Sequence, residues 1–122
     1  IVSVSELLRI SNILCIHLSP DPNYPFRLGA AEISSMKPGA WVVNVSRGQV
    51  VDEDALYDAL KSGRLSGAAL DVFSEEPYTG KLCDLENAVL TPHIATLTEE
   101  SRLQMEMEAT QNVIDYFNSK QK

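Results

Sequence analysis

Residues 40 to 54 read Ala40-Trp41-Val42-Val43-Asn44-Val45-Ser46-Arg47-Gly48-Gln49-Val50-Val51-Asp52-Glu53-Asp54, and this stretch decides the fold. Ala40 to Val45 is a short, nearly continuous apolar run, the pattern of a strand buried within a sheet, and Ser46-Arg47-Gly48 ends it. Asp52-Glu53-Asp54 then places acids where the positive N-terminal end of a helix favours them. Lys61 falls in the last turn of that helix and Gly63 suits the position just beyond it. The spacing predicts a helix over 52–62.

The same alternation continues outward in both directions. Toward the C-terminus, Gly67 to Phe73 is a strand candidate whose small residues would let a helix pack closely, and Ala88-Val89-Leu90 before Thr91-Pro92 is a shorter one. Leu103, Met107, Thr110, Ile114 and Phe117 then recur at helical spacing on one side of a long amphipathic helix, which Thr96 or Thr98 would cap. Toward the N-terminus, Gly29 to Lys37 can form a short helix stopped by Pro38-Gly39. Before it, Ile13 to Leu18 is an apolar run closed by Ser19-Pro20-Asp21-Pro22, as expected of a strand buried on both faces. Ser3-Val4-Ser5-Glu6 reads as a capping box opening a first helix. Strands alternating with helices imply crossover units and a mostly parallel sheet covered on both faces, an α/β Rossmann-like arrangement amounting to half of a doubly wound fold.

The remaining arithmetic narrows the partners. The 122 residues are 44% hydrophobic and 22% charged, a composition and length suited to one globular domain. Ten basic residues against 17 acidic ones give a net charge of −7, and no basic cluster is dense enough to follow a phosphate backbone, which argues against nucleic acid as a partner. No apolar run approaches the roughly 18 residues of a membrane span. Cys15 and Cys83 lie too far apart in sequence for a metal knuckle and suggest no disulfide framework, so a reducing cytoplasm is the expected setting and no metal site is expected. The chain opens on Ile1 without an initiator Met or a signal-like stretch, and it is read as starting inside a longer protein.

In open parallel sheets, ligands bind beyond the carboxyl ends of the strands, so polar residues just after strand runs are the ones to weigh. Three such places carry a guanidinium (Asn44-Val45-Ser46-Arg47-Gly48), a carboxylate (Asp71-Val72-Phe73-Ser74-Glu75-Glu76-Pro77) and an imidazole (Thr91-Pro92-His93-Ile94). Each also has an ordinary reading: a surface Arg in an ion pair, a loop or capping acid, a structural His. His17, inside the first strand run, is assigned to structure, as are Cys15 and Cys83.

Taken together, Met36-Lys37-Pro38-Gly39-Ala40, Asn44-Val45-Ser46-Arg47-Gly48, Val50-Val51-Asp52-Glu53, Gly67 to Phe73, Glu76-Pro77 and Thr91-Pro92-His93-Ile94 resemble, in order and over nearly the whole chain, the C-terminal half of the nucleotide-binding domain of D-isomer-specific 2-hydroxyacid dehydrogenases. The resemblance implies that residues 1–122 are that half-domain. It also implies a parent enzyme, a homodimer, that transfers a hydride between NAD(H) and a small D-2-hydroxy or 2-oxo acid. By resemblance, Arg47 clamps the substrate carboxylate, a role suited to a planar fork with two parallel donors. His93 is the acid/base, and Glu76 pairs with it, raising its pKa by opposite charge. Asp71 resembles the residue that accepts from the nicotinamide carboxamide, and Val45, Ser46, Arg47, His93, Ile94, Ala95 and Thr96 resemble contacts to the cofactor. The corepressors that share this scaffold and sense NAD are the alternative from another functional class. A formate dehydrogenase relative is disfavoured, because that branch supports its His with Gln.

The chain departs from the pattern in three respects. Residues 19–27 keep the usual length but lose the common Leu-Pro-Leu-Thr-Pro-Glu-Thr-Arg character near the cofactor ribose, and Ala95-Thr96 stands where two glycines are frequent. The six glycines contain no G-x-G-x-x-G, so the pyrophosphate-binding turn and the acidic ribose reader are missing, and the choice between NAD and NADP stays open. The substrate domain that closes over the cleft is missing too, and the isolated chain is expected to be inactive.

Overall fold

The computed structural model describes residues 1–23 and 25–120, so Tyr24, in the departing segment 19–27, lies outside the described residues. Its elements run α1 (Val4–Ile10), β1 (Ile13–Ile16), α2 (Ala30–Ser35), β2 (Ala40–Asn44), α3 (Glu53–Lys61), β3 (Leu65–Leu70), β4 (Ala88–Leu90) and α4 (Glu99–Ser119). Short 3-10 turns at Gly48–Val50 and Lys81–Asp84 complete the order. Residues 1–92 form one compact unit and residues 93–122 a second.

The helices start and stop where their caps dictate. Ser3 accepts the Glu6 N–H at 3.2 Å to open α1, Asp52 accepts the Ala55 N–H at 3.1 Å to open α3, and Thr98 accepts the Ser101 N–H at 3.2 Å to open α4. Gly63, at φ 73°, takes the left-handed conformation that ends α3. At the end of α2, the Arg64 guanidinium donates to the carbonyls of Ser34 (2.8 Å) and Met36, which answers two otherwise unpaired groups at a helix C-terminus.

All four strands are parallel and lie in the order β1-β2-β3-β4. Because the order never reverses, right-handed crossovers put the connecting helices on one face of the sheet. Leu14, Ile16, Val42, Ala68 and Leu70 on that face are buried, with Leu8, Ile33, Leu56 and Leu60 from the helices in the same core. The opposite face corrects the expectation of a sheet covered on both sides. Ile13, Trp41 and Val89, brought onto that face by the strand register, are 60%, 44% and 62% exposed, and Cys15 is exposed beside them. A sheet whose strand order runs one way covers one face only; covering the other takes a reversal of order.

Strand β3 also differs from its expected span: it begins at Leu65 and ends at Leu70, so Asp71 to Phe73 belong to the following loop. The small residue Gly67 makes room for an aromatic ring rather than a helix. A Cβ there would lie 2.2 Å from the Trp41 ring. In the second unit, Thr98 caps α4, and its apolar stripe is exposed; no residue of the helix is buried. No described helix is long and apolar enough to cross a membrane.

Candidate functional site

The carboxyl ends of β2 and β3 are joined by one buried residue, through its side chain and its backbone carbonyl. Asn44, the last residue of β2, is fully buried. Its Oδ1 accepts the Ser46 N–H at 3.1 Å and the Ser46 hydroxyl at 2.8 Å, and its Nδ2 donates to the Arg47 carbonyl at 2.9 Å. The Asn44 carbonyl in turn accepts the Asp71 N–H at 3.0 Å. One residue therefore folds the Ser46-Arg47 turn back on itself and ties it to the start of the next loop. The exposed Arg47 guanidinium donates through Nη1 to the Ser46 carbonyl at 2.6 Å. A guanidinium carries five N–H donors in a planar fork, so one internal bond leaves most of it for an anionic ligand.

The ends of β3 and β4 are joined in the same way. Asp71 is buried (6% exposed), the Thr91 hydroxyl donates to its Oδ1 at 2.5 Å, and the Thr91 N–H donates to the Leu70 carbonyl at 2.9 Å. Asp71 is thus an oriented carboxylate at the carboxyl edge of the sheet.

The loop after β3 carries Glu76 and is braced along its length. Glu76 Oε1 accepts the Phe73 N–H at 3.0 Å, and the Glu76-Pro77 peptide is cis. Phe73 is buried and stacks on Tyr78, with ring centroids 4.3 Å apart. Glu53, in the first turn of α3, accepts the Ser74 N–H at 2.7 Å. Burial raises the Tyr78 phenol above its ordinary pKa, the Leu82 N–H works against the rise, and the negative charge of Glu53 adds to it. Beneath this loop runs Gly48, where a Cβ would collide with the Phe73 backbone.

Of the residues singled out in the sequence, Val45, Ser46, Arg47, Asp71 and Glu76 stand on the two loops at the carboxyl edge of the first unit. His93, Ile94, Ala95 and Thr96 open the second unit. His93 has φ 55°, a left-handed conformation uncommon for a residue with a Cβ and one that concentrates at functional positions. His17 and Cys83 are exposed, His17 just past β1 and Cys83 in the second 3-10 turn. Three residues that shape the site, Asn44, Gly48 and Thr91, had no role of their own assigned from sequence, and Glu53 was read only as an acid at the start of a helix. Asn44 did carry a signal, a polar side chain inside an otherwise apolar strand run.

The family model for "D-isomer specific 2-hydroxyacid dehydrogenase, NAD binding domain" matches residues 1–95. The chain belongs to the D-isomer-specific 2-hydroxyacid dehydrogenase family. Among its relatives, D-3-phosphoglycerate dehydrogenase of Escherichia coli strain K12 is 43% identical over 119 residues, which cover 93% of this chain and 29% of that protein. A D-isomer-specific 2-hydroxyacid dehydrogenase structure from Polaromonas sp. JS6 66 superposes with a TM-score of 0.86 at 36% identity, over 96% of this chain and 37% of that one. D-lactate dehydrogenase from Aquifex aeolicus, solved with NAD and lactic acid, gives 0.80 at 30% identity, over 97% and 40%. The sequence thus spans roughly a third of the length of the dehydrogenases it matches. The fold, a parallel α/β sheet of Rossmann type, is the one those enzymes have.

Proposed function

We propose that these residues belong to a dehydrogenase that moves a hydride between NAD(H) and a small D-2-hydroxy or 2-oxo acid, with Arg47, Glu76 and His93 as its catalytic groups. The observation that carries this reading is the linkage through Asn44, which holds the Arg47 turn and Asp71 together at the carboxyl edge of the sheet, the ligand-binding edge of this fold.

The residues present fit one end of a dinucleotide. Asp71 is a buried, oriented acceptor suited to an amide donor such as a carboxamide, with Ser46 and Val45 on the neighbouring turn. Bound NAD(H) supplies or takes the hydride. Arg47 holds the substrate carboxylate through two parallel charge-assisted bonds, which fixes the direction in which the carbonyl carbon faces. His93 gives a proton to the carbonyl oxygen in reduction and removes it from the hydroxyl in oxidation. Glu76 is the carboxylate partner of this acid/base. Ile94, Ala95 and Thr96 would contact the cofactor when it is bound. The parent enzyme works as a homodimer in the cytoplasm, and NADP can replace NAD if the ribose reader, outside this sequence, permits it.

The test is turnover of NADH with a panel of 2-oxo acids by the complete dehydrogenase and by its His93→Ala variant. The variant is expected to lose about 10²- to 10⁴-fold in kcat, the usual contribution of a positioned acid/base, with NADH affinity little changed. Wild-type turnover in the variant would remove His93 from the mechanism.

A further inference from the structure

Two adjacent backbone N–H groups in the loop after β3 are each received by a carboxylate. The Phe73 N–H goes to Glu76, within the loop itself, and the Ser74 N–H goes to Glu53, which reaches it from the first turn of α3, 21 residues earlier. Glu53 does not cap its own helix: Asp52 accepts the Ala55 N–H and serves that purpose. An acid in a helix's first turn gains from the dipole wherever its side chain points, and usually stays hydrated. Here the side chain also accepts, in an exposed bond, from a peptide group 21 residues on, which costs it rotamer freedom.

The same turn of α3 braces the far side of the loop. Asp54 pairs with Lys81 at 3.0 Å, and the Lys81 ammonium sits 4.5 Å from the centre of the Tyr57 ring. Gly48 underlies Phe73 and Ser74 so closely that the loop cannot sink further. The peptide linking Phe73 to Ser74 is therefore held from below by Gly48 and from the side by Glu53, and its neighbouring N–H is what Glu76 grips.

We propose that Glu53 is a positioning residue for the reaction: by holding the Ser74 N–H it fixes the 71–77 loop, and through Phe73 it fixes the place of the Glu76 carboxylate. This rests on the reading of Glu76 as the partner of the acid/base. The contact needs an acceptor oxygen at the reach of a glutamyl side chain, not a negative charge. Glu53→Gln keeps that oxygen and that reach. Glu53→Asp keeps the charge and the acid in the first turn but is one methylene short, and Glu53→Ala removes both.

Two readouts test it. In the 122-residue chain, hydrogen exchange at the Ser74 amide should quicken about tenfold in Glu53→Asp and Glu53→Ala and stay near wild type in Glu53→Gln, as expected for loss of one hydrogen bond. In the complete dehydrogenase, Asp and Ala at position 53 should lower kcat/KM for the 2-oxo acid about tenfold. They should also move the upper pH limit of carbonyl reduction downward, because the carboxylate proposed to pair with the acid/base is displaced. NADH KM should not move, and Gln should restore both properties. If Glu53→Ala fails to fold, Glu53→Asp decides. Wild-type exchange and pH profile in Glu53→Asp, or a Gln variant as impaired as Ala, overturns the proposal. Glu76→Gln separates the two levels: if it lowers the pH limit while Glu53→Asp does not, the positioning role alone is wrong. If Glu76→Gln changes nothing, the pairing with the acid/base falls, and the Ser74 exchange still decides whether Glu53 holds the loop.

Discussion

A Cβ placed on Gly48 would lie 1.8 Å from the carbonyl carbon of Phe73 and 2.3 Å from the nitrogen of Ser74. Both are backbone atoms of a braced loop, so no rotamer change relieves the collision. The requirement here is space. Gly48→Ala forces the turn carrying Arg47 away from the loop carrying Glu76, and is expected to cost at least about 3 kcal/mol, the upper part of the range for overpacking. Urea unfolding of the 122-residue chain measures it, and an unchanged midpoint would mean that the two loops part at no cost.

Asn44→Ala tests the linkage one residue deeper. The change removes the buried amide to which the Arg47 carbonyl and the Ser46 N–H are bonded. The Arg47 carbonyl keeps the Val50 N–H at 3.4 Å and both lost bonds are part-buried, so the loss expected is about 1–3 kcal/mol, that of a single unpaired group. In the complete enzyme the same variant should raise KM for the acid, because the Arg47 turn is no longer fixed. A variant as stable as wild type would show that water replaces the amide without penalty.

Much of this arrangement was legible in the sequence, and the rest was hidden for identifiable reasons. The ends of α3 follow from Asp52 and Gly63, whose capping roles depend on neighbours a few residues away. The strand runs were legible because burial demands apolar side chains, yet Ile13 to Ile16 is apolar on both faces and could not tell which face this chain covers. The placing of Arg47, Asp71 and Glu76 at strand ends was readable for the same reason. Glu53 and Thr91 were not, because their partners Ser74 and Asp71 lie about twenty residues away and meet them only once the sheet has assembled.

Arg47→Lys separates charge from geometry. A lysine keeps the positive charge but offers a point donor in place of a planar fork able to make two parallel bonds, so it attracts a carboxylate without aligning it. In the complete dehydrogenase, KM for the 2-oxo acid should rise and kcat should fall together, since the lost interaction both binds and orients. Steady-state kinetics at saturating NADH reads this directly. An unchanged kcat/KM would show that the carboxylate is held elsewhere.

The final prediction concerns the 122 residues by themselves. Positioning of both reactants can supply roughly 7–11 kcal/mol of barrier reduction in the best intramolecular cases, but only if each is immobilised. The contacts proposed here for the dinucleotide, Ser46, Asp71 and the residues around His93, lie at its nicotinamide end, and none of the six glycines falls in a G-x-G-x-x-G turn able to receive the pyrophosphate. Few contacts then offset the loss of the ligand's freedom. NADH affinity is expected to be no tighter than about millimolar, which corresponds to about 4 kcal/mol. No oxidation of NADH should be detectable with pyruvate, glyoxylate or hydroxypyruvate. Titration of NADH into the chain by calorimetry or fluorescence checks this: saturation in the micromolar range would show that these residues assemble a cofactor site without a glycine turn.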